Sequence, residues 1–151
     1  LVKWLFTYVI CWKDKNFNYV YDAIVYCVFI SLGFASIENL IAILSNSGGF
    51  TLALQRGLIT VPAHAFFGII SGYYLGLAKK YEARRWNKRK RKYIILSLLI
   101  PIIVHGMFDS LLFLSSTASL LFATALIVYL YLSSALKVVK TSSEAKKITR
   151  R

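Results

Sequence analysis

Four apolar blocks, at about 22–44, 55–78, 93–114 and 120–136, constrain this chain more than any other feature. A hydrocarbon core is roughly 30 Å thick, and about twenty helical residues at 1.5 Å each cross it. Apolar residues gathered in such blocks, rather than spread at helix or strand spacing, are the pattern of membrane spans. A mean hydropathy of +0.60 and 58% hydrophobic residues agree. The chain also opens apolar, from Leu1 to Trp12. Twelve residues rise only about 18 Å, so this segment is expected to be the C-terminal half of a helix that begins upstream. The predicted fold is an all-α polytopic transmembrane helix bundle of four full spans plus that half-helix. A single domain is expected over 1–136, incomplete at its N-terminus, with a basic cytoplasmic tail over 137–151.

The formal charge of +13 raises nucleic acid as a partner, but the placement of the charge argues against it. Of nineteen Lys and Arg, nine lie in 79–92, six in 137–151 and two in 13–22, all between or after apolar blocks. Such clustering follows the positive-inside rule, which puts these three segments in the cytoplasm of a multi-pass cell-membrane protein. The partners expected are the lipid bilayer, including anionic head groups, and no nucleic acid. Cys11 and Cys27 sit in apolar runs without metal-ligand spacing and read as small packing residues.

Two stripes of small residues mark faces where helices approach closely. One is Ser31, Ala35, Glu38, Ala42 and Ser45; the other is Gly68, Gly72 and Gly76, continued upward by His64. Ser45 to Gly49 and Ser115 to Ser119 read as turns, and 79–92 as a basic loop.

Within the spans the ionisable side chains are few: Glu38, His64, His105 and Asp109, with Lys3 in the half-span. An acid at that depth costs roughly 2.5–3.5 kcal/mol on insertion scales, so something must offset it. Counted from the span ends opposite the basic loops, all four lie roughly 8–14 Å deep. Segments separated in sequence thus agree on one level. The chemistry that suits the set is activation of water by a carboxylate or a metal, with a histidine assisting and a polar group steadying an oxyanion. His105 and Asp109, one turn apart, form a candidate orienting pair. Glu38, His64 and His105 are an acceptable zinc set by type, but their spacing matches no compact zinc motif. Each signal has a bland counterpart. A histidine facing glycines packs, an HxxxD pair is common, and Glu38-Asn39 can simply join neighbouring helices.

Taken together, Phe34-x-x-x-Glu38-Asn39, His64-x-x-x-Gly68 and His105-x-x-x-Asp109, in the contexts GFASIEN, PAHAFFGIISGYYLG and HGMFDS, resemble the PrsW family of intramembrane proteases. That family is related to the CAAX-prenyl protease and bacteriocin-processing group. The resemblance covers essentially the whole chain. Leu1-Val2-Lys3 is similar to the end of the family's first motif, two glutamates, two residues and a lysine. The glutamates are therefore expected immediately before Leu1, and this stretch alone is expected to be inactive. The resemblance implies hydrolysis of membrane-anchored proteins of the anti-sigma-factor kind, at Glu38, His64, His105 and Asp109. Lys3, Phe34, Asn39 and Gly68 would support them. A divalent metal such as zinc is left open by the resemblance. A transporter or proton relay, and a catalytically inactive family member serving as a scaffold, are the competing readings.

Overall fold

A computed structural model describes residues 1–46, 48–143 and 148. Among them helix is the only regular secondary structure: α1 (Val2–Cys11), α2 (Val20–Ser45), α3 (Gly49–Ala83), α4 (Asn87–Leu114) and α5 (Thr117–Ser143). Helices α2 to α5 are each long and apolar enough to cross a membrane. The short first helix, the four span-length helices and the all-α class agree with the sequence reading.

The helices run further than the apolar blocks. α3 starts at Gly49 rather than near Gln55 and ends at Ala83, giving 35 residues and about 52 Å. The expected loop over 79–92 shrinks to Arg84-Arg85-Trp86, with Arg85 in the left-handed region at φ 59°. Composition marks where lipid ends, not where helix ends: Lys, Ala, Glu and Arg are all good helix formers. Glu82 holds the junction, 3.3 Å from Lys79 one turn back and paired with Lys90 of α4. Likewise, the tail begins as helix, since α5 continues to Ser143. The rest of the expected tail, 144–147 and 149–151, lies outside the described residues, as does Ser47 in the α2–α3 turn.

Local chemistry sets the helix ends. Asp22 Oδ2 accepts the backbone N–H groups of Asn18 and Tyr19, both at 2.8 Å, which places a negative charge on the first turn of α2. Ser115, at φ 49°, closes α4. Ser116 and Ser119 then exchange side-chain to backbone hydrogen bonds at 3.0 and 3.1 Å to start α5.

α3 is the central helix, packed mainly on α2 and α4 and also on α5. Its contact with α2 is made of backbone. A Cβ added to Gly68 would lie 3.0 Å from Cys27 O, one on Gly72 2.5 Å from Ala23 O, and one on Gly76 2.5 Å from Val20 O. Each step of four along α3 is matched by a step of three or four back along α2, the register of an antiparallel pair. The α2 stripe is displaced from its expected place. Ser31 and Ala35 are buried, but Ser45 is exposed, and the close contact continues towards Cys27, Ala23 and Val20 instead.

α1 lies against α2, and Trp4 Nε1 ties it to α4 by donating to Ser97 Oγ at 2.8 Å. Trp4, Tyr8 and Trp12 stack at successive centroid distances of 5.0 Å. The stack ends beneath Lys79, whose Nζ donates to Trp12 O and lies 4.8 Å from the Trp12 ring. Lys90 lies over the same ring, and Lys137 is 5.8 Å from the ring of Tyr73. The basic segments thus gather at one end of the bundle.

Candidate functional site

Away from that basic end, three helices bring charged groups to one point. Lys3 of α1 places Nζ 3.0 Å from His64 Nδ1 and 3.7 Å from Glu38 Oε1. His64 of α3 places Nε2 3.3 Å from Glu38 Oε2 on α2. An ammonium only donates, so Nδ1 accepts and Nε2 carries the ring proton, facing the carboxylate. The imidazole is buried, whereas 43% of the Glu38 side chain is exposed. The carboxylate is therefore the open member of this group and the histidine its buried support.

Phe34 sits one turn before Glu38 on the same face, as expected, and its ring centroid is 5.9 Å from Lys3 Nζ. Gly68 stands one turn beyond His64. It touches none of the charged groups; its missing Cβ lets α3 approach α2 closely enough for His64 to meet Glu38. Ser31 reinforces that approach by donating to His64 O at 2.7 Å. Asn39 turns away from Glu38, its Oδ1 accepting Arg56 Nε at 2.9 Å, and so links α2 to α3 on the side of the site away from the basic end.

α4 contributes the second pair. His105 Nε2 lies 3.3 Å from Asp109 Oδ2, one turn along the helix. The His105 ring is 5.2 Å from that of His64 and stacks on Phe67 at 4.8 Å with an interplanar angle of 24°. Phe108, fully buried and 6.2 Å from Phe67, fixes which face of α4 turns inward. Asp109 is the outermost member, its side chain 63% exposed.

The structure thus brings Glu38, His64, His105 and Lys3 together, with Asp109 at the margin. The common level survives although its count from the helix end fails for His64, because α3 begins at Gly49. Sequence reasoning missed Phe67 and Arg56. Phe67 stands three residues after His64, so helical spacing carried a signal for it; the Asn39–Arg56 bond crosses two helices and left none. Among the described residues, no three His, Cys, Asp or Glu side chains converge as metal ligands do.

Residues 1–136 match the family model described as PrsW family intramembrane metalloprotease. The chain is 42% identical over 114 residues to Protease PrsW of Halalkalibacterium halodurans, covering 76% of this chain and 50% of that protein. It is 34% identical over 138 residues to Protease PrsW of Clostridioides difficile, covering 90% and 57%. With Protease PrsW of Bacillus subtilis it shares 36% over 111 residues, covering 74% and 48%. The chain spans about half the length of these relatives. No solved structure matches it. With its motifs on helices that pack as one site, the chain belongs to the PrsW family of intramembrane proteases.

Proposed function

We propose that the whole protein is an intramembrane endopeptidase that hydrolyses membrane-anchored proteins of the anti-sigma-factor kind, with Glu38 as the group that activates water. One observation carries this reading: Lys3, Glu38 and His64, from three helices of a membrane-type bundle, meet within 3.0–3.7 Å beside His105. A part-exposed carboxylate backed by a buried histidine and an ammonium group is suited to moving a proton to and from water.

In this mechanism Glu38 takes a proton from water as the oxygen bonds to the scissile carbonyl carbon. The carbonyl oxygen becomes an oxyanion. The C–N bond then breaks, and Glu38 returns the proton to the leaving amine. Lys3 and His64 hold the carboxylate in place. Asp109 and Phe67 orient His105, which in its doubly protonated form donates Nε2–H to Asp109 and Nδ1–H to the oxyanion.

The family description names a metalloprotease. The donors of this chain do not fit a metal ion: no three converge among the described residues, and the Lys3 ammonium stands between His64 and Glu38, where an ion would bridge them.

The test reconstitutes the whole protein with a membrane-anchored substrate in liposomes. Glu38→Gln, His105→Ala and Asp109→Ala should each lower cleavage by about 10²-fold or more, with membrane insertion unchanged. Full cleavage by all three variants would overturn the proposal. Glu38-dependent ion flux without cleavage would replace it with a proton relay.

A further inference from the structure

Beneath Lys3 and His105, on the side towards the basic end, lies a cavity of about 70 Å³ between α1, α2, α3 and α4. Its partly open walls are mainly apolar, including Phe67, Leu98 and Ile102, with Thr7, Ser31, Ser71 and His105 as polar points and Cys27 among them. Pro101 explains one of these polar points. Proline has no N–H, so the carbonyl of Ser97, four residues earlier, loses its helical partner, and Ser71 Oγ donates to it at 2.9 Å.

The other hydroxyl protons are also directed at carbonyls: Thr7 to Lys3 O at 3.0 Å, Ser31 to His64 O at 2.7 Å and Ser97 to Ile94 O at 2.7 Å. With their protons committed, Thr7 and Ser31 have only acceptor lone pairs left to offer, whereas the fully buried Ser97 Oγ already accepts from Trp4 Nε1. Lys3, which also lines the cavity, contributes an ammonium donor. A buried water needs two to four polar partners and a cavity of at least about 10–15 Å³, so this space has room for more than one.

We propose that the cavity is a resident water site. The Thr7 and Ser31 oxygens accept from water O–H groups and Lys3 donates to a water oxygen. Lys3 and His105 form the wall shared with the reactive centre, so the site lies one side chain away from Glu38. The presence of water rests on the cavity alone. Its use as the supply for bond cleavage rests on the hydrolytic reading above.

The two cysteines allow a test that does not depend on activity. Cys11 and Cys27 are 7% and 4% exposed, but of the two only Cys27 lines the cavity. Hydroxyl radicals formed by radiolysis label side chains that touch bound water. In the whole protein in nanodiscs, Cys27 should be labelled at least about threefold faster than Cys11. The Thr7→Val variant, which removes an acceptor and keeps the side-chain volume, should bring Cys27 down to the Cys11 rate. Equal labelling of both cysteines in the unaltered protein would overturn the water site. If the labelling contrast holds, the same variant should lower kcat for cleavage about tenfold at constant KM. Unchanged kcat would overturn the supply role and leave the water site standing. Absence of cleavage by the unaltered protein would count against the hydrolytic reading alone, because the labelling contrast needs no turnover.

Discussion

Lys3 carries a positive charge into the apolar interior and spends it on two partners at once, Glu38 and His64. Removing it leaves the carboxylate without its cation. Lys3→Met should therefore both lower stability and abolish most activity, while Lys3→Arg should misplace the charge. Coupling should show in a double-mutant cycle: Lys3→Met should cost less in a Glu38→Gln background, by about 0.5–1 kcal/mol because the carboxylate is part-exposed. Thermal unfolding in detergent would measure it, and full additivity would count against the pair. Glu38, His64, His105 and Asp109 could be picked out in the sequence because ionisable groups stand out in apolar blocks. The His105–Asp109 pair was legible too, because the two stand one turn apart on one helix. Which atoms of Glu38, His64 and Lys3 would meet across three helices was not, since that depends on helix rotation.

Between elements, the contact that decides the geometry is the glycine face of α3 on the backbone of α2. Gly72→Ala would put a Cβ 2.5 Å from Ala23 O and Ile24 Cα, where no flexible side chain can yield. It should destabilise the bundle by about 1–3 kcal/mol and separate His64 from Glu38, costing activity as well. Gly106→Ala, with nothing within 4 Å of the added atom, is the matched control and should be close to neutral. Equal effects in unfolding and cleavage assays would refute the close packing. The glycine spacing was visible in sequence as a face. Its offset along α2 was not, because spacing gives angle around a helix and not the axial shift. Helix length was misjudged for a related reason: hydropathy reports lipid contact, and the polar residues of 79–83 and 137–143 remain helical.

At the scale of the whole molecule, the charges define the two ends. Positive charge around Arg84 to Lys92 and at Lys137 and Lys140 lies at one end, with Gly48 at the other. Reporter fusions at Arg85 and after Arg151 should report the cytoplasm, and one at Gly48 the exterior. A cytoplasmic signal from Gly48 would reverse the orientation. The number of spans was legible because each block by itself satisfies the length of a bilayer crossing. Their arrangement around α3 was not, because all four blocks are similarly apolar and only packing tells which is enclosed.

The glycine face also divides the molecule mechanically. Backbone resting on backbone has no rotamers to exchange, so α2 and α3 behave as one fixed jaw carrying Glu38 and His64. His105 and Asp109 ride on α4, which meets α3 through side chains such as Phe67 and Phe108, and Lys3 rides on the short α1. Under the proposed endopeptidase function, a polypeptide reaching Glu38 is expected to be admitted by movement of α4 or α1, while the carboxylate and its histidine stay in register.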